Sequence, residues 1–184
     1  LRIFCEYRDS RSFPLLLPLL DQPCPVERMS VVYALGRNPC PTAVEKLVSL
    51  LETDDNAYVR RATAWSLANY DNQIVLKPLI NALKNDVAAV RLWSSSSLAE
   101  IGNVSLENAQ LAAEQLLISL KIDNEPGVRS NCIWSLCRLY EKLNNTLQES
   151  FVDECTKIAL FDKEPSVMEE AKTALDSMGM QGFY

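Results

Sequence analysis

The sequence predicts an all-α fold, a right-handed α-solenoid of about five stacked helical pairs. Three observations support this fold class. A short motif ending in leucine recurs along the 184 residues, and each copy follows a separate apolar segment of helical length. The alternation of apolar and polar residues and the hairpin dipeptides typical of β-sheets are missing.

The recurring motif marks the second helix of each pair. Its aligned leucines are 32, 31, 38 and 39 residues apart, which is typical of repeats made of two helices. An arginine opens four copies, whereas Met168 stands at this position in the fifth. The leucines are Leu35, Leu67, Leu98, Leu136 and Leu175, and the arginines are Arg28, Arg60, Arg91 and Arg129.

The first helix of each pair is predicted from the apolar segments Leu15–Leu20, Ala43–Leu51, Val75–Leu83, Ala109–Leu120 and Phe151–Leu160. Together the pairs give repeats near residues 10–38, 41–71, 74–102, 108–140 and 148–179, in one domain spanning 1–184. The two longer periods are assigned to polar turns at Asn103–Glu107 and Asn144–Gln148. Residues 1–7 have the pattern of a helix tail, so we expect a trimmed N-terminal edge.

Apolar and small side chains of the second helices recur at helical spacing. In the second repeat they fall within one arc when each residue advances 100°. We expect this arc to face the core, and its small residues to let neighbouring helices approach closely. The arc comprises Val59, Ala62, Thr63, Ser66, Leu67 and Tyr70.

An acidic residue precedes each second helix. An aspartate there can accept backbone N–H groups, and the repeat arginine can bridge to the aspartate of the adjacent repeat. We interpret these residues as a ladder that spaces the layers, not as an active site. The aspartates are Asp21, Asp54 or Asp55, Asp86, Asp123 and Asp162.

A further column lies two residues before each aligned leucine, off the core arc. It contains Tyr33, Trp65, Ser96, Trp134 and Thr173, and four residues later come Arg37, Asn69, Glu100, Arg138 and Ser177. Arg61 lies one turn before Trp65. We call the set Tyr33, Arg37, Arg61, Trp65, Asn69, Trp134 and Arg138 the aromatic–arginine ridge, and we expect it to line the concave side of the solenoid as a binding surface.

A second interpretation of the ridge stays open. Tryptophan is usually well buried, so these aromatic rings can instead be wedges between layers. Wedges do not account for the accompanying arginines. Trp93 lies at another angle, two residues after Arg91, and is predicted to pack between repeats.

Composition and charge exclude several classes of function. Histidine is absent and neither a glycine-rich phosphate loop nor a diagnostic nucleophile spacing occurs, so no catalytic residue is predicted. Residues 93–184 carry 7 basic and 14 acidic side chains, which disfavours nucleic acid as a partner. No apolar run reaches the length of a membrane span.

The six cysteines lack the Cys-x-x-Cys pairing of structural zinc sites, so no metal site is predicted. Free cysteines used for packing indicate a reducing compartment, the cytoplasm or a plastid stroma. Cys24 and Cys40 lie in proline-flanked loops rather than in helices, and we therefore expect them to be the more reactive pair. The other four are Cys5, Cys132, Cys137 and Cys155.

The segments Val59–Leu67 and Val90–Gly102 resemble the HEAT-like repeat of the phycobilisome lyase family, and the resemblance covers about Ser10 to Gly179. That family includes bilin lyase subunits, a phycobilisome-degradation protein and chaperone-like relatives of cyanobacteria and plastids. In the lyases it implies a groove holding an open-chain tetrapyrrole for transfer to a cysteine of a phycobiliprotein. No lyase-specific motif matches this chain residue by residue.

Three functions follow from these observations. The first is a non-catalytic protein-binding scaffold or assembly chaperone without a cofactor, whose partner carries an acidic segment for the ridge arginines. The second, implied by the resemblance, is a bilin lyase or bilin-binding subunit acting on a phycobiliprotein. The third, a helper in iron–sulfur cluster assembly, rests only on the cysteines.

Overall fold

The computed structural model describes residues 9–180 and 182, so the prediction for residues 1–7 and that for Cys5 lie outside it. Within this part of the chain, 81% of residues are helical and no strand occurs. None of the described helices is long and apolar enough to span a membrane. The α-helices are α1 (Phe13–Leu16), α2 (Pro25–Arg37), α3 (Val44–Thr53), α4 (Ala57–Leu67), α5 (Leu76–Asn85), α6 (Ala88–Gly102), α7 (Leu106–Ile122), α8 (Pro126–Leu139), α9 (Asn145–Phe161) and α10 (Pro165–Ser177).

The helices form pairs, as the repeat pattern predicts. The contacts of the chain divide it into two compact units, residues 1–101 and 102–184. In the first unit, α3 pairs with α4, α2 packs on α4, and α3 packs on α5. In the second unit, α7 pairs with α8, α9 pairs with α10, and like helices pack on each other, α7 on α9 and α8 on α10. The prediction of one domain over 1–184 stays a prediction.

Local sequence signals start the helices. Proline occupies the first position of α2, α8 and α10, where its missing N–H is not needed and its fixed φ suits a helix. The side chains of Asn56, Ser105 and Asn144 cap α4, α7 and α9 by accepting a backbone N–H of the first turn. These caps fix the residue at which each of the three helices starts.

The predicted helix Leu15–Leu20 is wrong in detail. The segment consists of the single turn α1 between two 3₁₀ helices, Ser10–Ser12 and Leu17–Asp21. Pro18 has no N–H to donate to the carbonyl of Pro14, and its ring clashes with that carbonyl in a regular α-helix. The first helix of the first repeat is therefore broken, although Leu16 and Leu20 are still fully buried.

The longer periods arise from longer helices, so their assignment to polar turns is wrong. Helices α7 and α9 each have 17 residues, whereas α3 and α5 each have 10. Residues 145–148 belong to α9, because the Asn144 side chain accepts the N–H of Leu147 at 3.0 Å and so starts the helix early. Ser105 does the same for α7 through the N–H of Asn108.

The core arc of the second repeat is confirmed. Its six residues are at most 4% exposed. Small side chains allow the close approach that the arc predicts: the Ser97 hydroxyl of α6 donates to the Ala64 carbonyl of α4 at 2.8 Å. The Tyr70 hydroxyl donates to the Leu35 carbonyl at 3.0 Å, which joins the first two repeats, and burial raises its pKa to about 12.

Candidate binding site

An aromatic recess opens on the first unit. Tyr33 of α2, Trp65 of α4 and Trp93 of α6 line it together with Arg37, around a volume of about 370 Å³. The Tyr33 and Trp65 rings are tilted by 53° with centroids 5.4 Å apart. The Arg37 guanidinium carbon lies 5.5 Å from the Trp65 ring centroid. Three aromatic rings and one cation therefore share a single site, which we call the aromatic recess.

Trp65 is both a wedge and a wall of the recess. A Cβ atom placed on Gly36 would lie 2.5 Å from Cζ3 of Trp65 and 3.2 Å from the Cα of Ser66. The edge of the ring therefore packs against the bare backbone of the preceding second helix. Its face meets Tyr33 and Arg37, and the side chain as a whole is only half-buried. The two interpretations of the ridge do not exclude each other at this position.

Two predicted ridge residues do not reach the recess. The Arg61 guanidinium carbon lies 5.4 Å from the ring of Tyr58, one turn away on its own helix. The Asn69 amide donates to the carbonyls of Trp65 and Ser66, at 3.5 and 3.3 Å, and so closes the end of α4. Neither residue lines the recess with Trp65.

Trp134 and Arg138 form a separate stacked pair in the second unit. The Arg138 guanidinium carbon lies 4.9 Å from the Trp134 ring centroid, and Trp134 is 40% exposed. The spacing of four residues within α8 brings them together, as predicted. That Trp134 and Arg138 belong to the same binding surface as Tyr33 and Trp65 stays a prediction.

Trp93 is the recess residue that sequence reasoning placed elsewhere. It is 36% exposed and lines the recess. A signal for this position exists in the sequence, because Trp93 lies three residues before Ser96, the ridge position of the third repeat. Residues three apart are neighbours on a helix surface, so an aromatic side chain here extends the same stripe.

Bidentate pairs confirm the arginine–aspartate ladder at Arg28, Arg60 and Arg129. The Nε and Nη2 atoms of Arg60 donate to Asp86 at 2.8 and 2.7 Å. Nη1 of Arg60 donates to the Asp54 carbonyl at 2.7 Å, so one guanidinium joins two loops. Equivalent pairs link Arg28 with Asp54 and Arg129 with Asp162.

Charge pairing outweighs burial at these aspartates. Burial by itself raises the pKa of the Asp86 carboxyl, but the hydrogen bonds from Arg60 and from the backbone N–H of Val87, with the charges of Arg60 and Arg91, lower it below its usual value. The pKa values of Asp54 and Asp162 are lowered in the same way. These groups hold the layers in place, as the sequence interpretation expects.

Comparison with known proteins agrees with this architecture. A profile of HEAT repeats matches residues 1–68 and 44–137, which together cover well over half of the chain. The protein belongs to the HEAT-repeat family. A search of curated proteins found no significant match.

Solved structures show the same HEAT-type fold. A chain of the complex of CpcE and CpcF of phycocyanin lyase from Nostoc sp. PCC7120 aligns with a TM-score of 0.68 and 21% identity, covering 90% of this chain and 99% of that one. A designed armadillo repeat protein in complex with the peptide (KR)4 aligns with a TM-score of 0.63 and 20% identity, covering 92% of this chain and 89% of that one. At identities of 21% and 20%, these similarities show a shared fold and do not show a shared function.

The cysteines of the HEAT repeats serve mainly as core residues. Burial raises the pKa of the Cys132 and Cys155 thiols, and raises that of Cys137 to about 11, which disfavours thiolates. In the loops, Cys24 is exposed but Cys40 is buried, with its sulfur 3.0 Å from the Thr42 hydroxyl. The described residues contain no group of three or more His, Cys, Asp or Glu side chains able to hold a metal ion.

Proposed function

We propose that this HEAT-repeat protein is a non-catalytic scaffold or assembly chaperone, and that its aromatic recess binds a partner protein. The ligand is a segment that presents an apolar side chain next to a carboxylate. One observation carries the proposal: three aromatic rings from three successive second helices converge with Arg37 on one open recess of about 370 Å³. Recesses of this size with few polar groups are typical of ligand sites.

The chemistry of the walls favours an anionic apolar ligand. Tyrosine and tryptophan offer a large flat contact area at little conformational cost. The cationic group at this site is the protein's own Arg37, stacked on Trp65 and exposed, which disfavours a second cation. Among the described residues Arg37 has no ion-pair partner, so its N–H groups remain to donate to a carboxylate in a bidentate fashion.

The test uses the two recess residues that folding needs least, Arg37 and Trp93, which are both exposed. A partner is captured from a native extract, identified, and its binding to the purified protein is then measured by calorimetry. We expect Arg37→Ala and Trp93→Ala each to weaken binding by about 1–3 kcal/mol. Arg37→Lys should recover only part of the loss, because lysine lacks the planar fork.

Matched controls are Arg11→Ala and Tyr58→Ala, which remove an exposed arginine and an exposed aromatic residue outside the recess. Neither change should alter the affinity. If both recess variants bind the captured partner like the wild type, the aromatic recess is not the binding surface and the proposal is wrong.

A tetrapyrrole ligand is the second candidate function. The flat aromatic walls with an arginine suit a planar pyrrole system that carries carboxylates, and the fold is shared with a chain of a phycocyanin lyase complex. In that case a phycobiliprotein is the partner. Titration with biliverdin should shift the pigment's absorbance band and quench tryptophan fluorescence in the wild type but not in Arg37→Ala. An unchanged pigment spectrum excludes this candidate. No observation on the described residues favours the iron–sulfur alternative.

A further inference from the structure

Arg61 is a half-buried arginine of α4 that lies outside the aromatic recess. Its Nε atom is buried, whereas its two terminal nitrogen atoms reach solvent, and none of the three has a hydrogen-bond or ion-pair partner among the described residues. The guanidinium carbon lies 5.4 Å from the Tyr58 ring centroid, so the ring covers one face of the group. Stacking of this kind leaves the N–H donors at the edge of the guanidinium available to a ligand.

Packing between repeats does not require a charge at this position. The aligned residues of the first and third repeats are Met29 and Leu92, and both are half-buried like Arg61. The matching places on both neighbouring second helices thus hold apolar side chains, which leave no buried donor without an acceptor. The arginine at position 61 therefore has a reason other than packing, and a ligand that supplies an acceptor is such a reason.

The other arginines of the first unit show how a structural arginine is held in this protein. Arg11, Arg28 and Arg60 each pair with an aspartate. Arg37 and Arg61 instead stack on aromatic rings and pair with no acid in the described part of the chain. Both lie on the side of the second helices that carries the recess, because Arg61 is one turn before Trp65 on α4.

Negative charge on the same surface does not neutralise these two arginines. The second helices of the first unit leave one stripe unburied, at the positions nine, six and two residues before the aligned leucine and two residues after it. The acid of this stripe is Glu100, which has an interaction of its own in which neither arginine takes part. No described acid lines the recess. The charges of the stripe therefore favour an anionic ligand.

The alignment of the repeats gives the spacing of the two arginines. Arg37 matches Asn69, which follows Arg61 by eight residues or about 12 Å along the helix axis. Neighbouring helix axes lie roughly 8–10 Å apart, so the two levels are separated by about 15 Å. An extended chain advances about 3.3 Å per residue and covers this separation in roughly four or five residues.

We propose that the aromatic recess and Arg61 hold one extended segment of a partner protein at two points. This inference rests on the function proposed above, in which the recess takes an apolar side chain and Arg37 contacts the carboxylate next to it. The segment carries a second carboxylate, roughly four or five residues away, which accepts hydrogen bonds from the terminal N–H groups of Arg61. The buried stem of Arg61 holds the guanidinium in place for this contact.

The test begins by selecting a probe that depends on the recess. A displayed library of random peptides is depleted on the double variant Arg37→Ala/Trp93→Ala and then selected on the wild-type protein. We expect the enriched peptides to have an acid next to an apolar residue and a second acid roughly four or five residues away. A library without any peptide specific for the wild type overturns the proposed function and this inference with it. Enriched peptides that have the first acid but no second one overturn this inference alone.

Arg61→Met is the matched variant, because it copies Met29 of the preceding repeat and removes the N–H donors while keeping an apolar stem. Fluorescence anisotropy measures its affinity for the most enriched peptide, and thermal unfolding confirms that it is folded. We expect binding about tenfold weaker than that of the wild type. Tyr58→Ala removes the stacked ring but leaves the charge and the buried stem of Arg61, so it should bind like the wild type.

A change in the peptide completes the experiment. Replacing its second acid by the corresponding amide should weaken binding to the wild type about tenfold and should hardly change binding to Arg61→Met, because the two groups contact each other. An equal loss for both proteins places the second acid elsewhere and overturns the inference. If Arg61→Met binds like the wild type while Arg37→Ala is weakened, the recess acts alone. That result also overturns the inference and leaves the proposed function intact.

Discussion

Gly36 determines where the Trp65 ring can lie. The ring edge occupies the space that any larger residue at position 36 would fill. Gly102, at the end of the second helix of the third repeat, is also close to a neighbouring side chain, but the atoms nearest to its added Cβ belong to Leu139, at 2.9 and 3.1 Å. A leucine can change rotamer, whereas an indole ring held against Tyr33 and Ser66 cannot move without moving the recess.

Gly36→Ala should therefore displace Trp65 and destabilise the protein. The clash outweighs the better helix propensity of alanine, and we expect a net loss of about 1–3 kcal/mol in the free energy of unfolding. Urea unfolding measures this loss, and a shift of the tryptophan emission maximum reports the displaced ring. Gly102→Ala is the control, a second helical glycine whose added Cβ would meet a leucine side chain instead of an indole ring, and it should cost less. Equal costs for the two variants would show that Trp65 yields as easily as Leu139.

Only some of the residues of the aromatic recess can be predicted from the sequence. Helical spacing places Tyr33 and Trp65 at matching positions, and the structure brings their rings into contact. The same spacing cannot predict that Arg61 turns to Tyr58, because the choice between two nearby rings depends on rotamers. The place of Trp93 in the recess was not predicted. In the alignment its position matches the core residue Ala62 of the second repeat, whereas the Trp93 side chain is exposed on α6.

At the scale of elements, the arginine–aspartate ladder fixes the loop before each second helix. The Asp86 carboxylate accepts from Arg60 and from the N–H of Val87, so one side chain shapes its own turn and holds the previous repeat. This role could be predicted from the sequence because it depends on recurrence. Two details of the elements were not predicted. Hydrophobic spacing alone takes no account of the missing N–H of Pro18, so the break in the first helix was missed. Polar residues occur both in loops and at capped helix starts, so the early start of α9 was missed as well.

The ladder predicts acid sensitivity with a definite sign. The pKa of the Asp86 carboxyl is lower in the folded protein than its ordinary value of 3.8, so the ion pair stabilises the fold above that pH. This stability is lost as the pH falls through the folded-state pKa, because protonation of the carboxylate removes its ion pair with Arg60. Urea unfolding between about pH 6 and pH 2 measures the loss.

Asp86→Asn separates this carboxylate from the other acids. We expect the variant to be about 2 kcal/mol less stable than the wild type at neutral pH, because it loses charge-assisted hydrogen bonds. The difference between the two proteins should shrink as the pH falls below 3.8, where the wild-type carboxyl also becomes neutral. A difference that stays constant with pH would mean that the charge of Asp86 contributes nothing.

At the scale of the whole molecule, each helical pair buries its apolar face only against its neighbours, so stability spreads along the chain from one repeat to the next. The leucine spacing predicts this organisation, because recurrence of one motif specifies recurrence of one packing arrangement. It does not predict the division of contacts into residues 1–101 and 102–184.

A reciprocal pair of core substitutions tests whether the two units unfold independently. Leu67 and Leu136 are aligned leucines, both fully buried, one in each unit. Leu67→Ala and Leu136→Ala should each cost about 2–5 kcal/mol, since each leaves a cavity. Because the repeats interact mainly with their neighbours, Leu67→Ala should speed hydrogen exchange chiefly in residues 41–101, and Leu136→Ala chiefly in residues 106–177. Mass spectrometry of peptic fragments resolves these ranges. Faster exchange throughout the chain in both variants would instead show that all the repeats unfold as one cooperative unit.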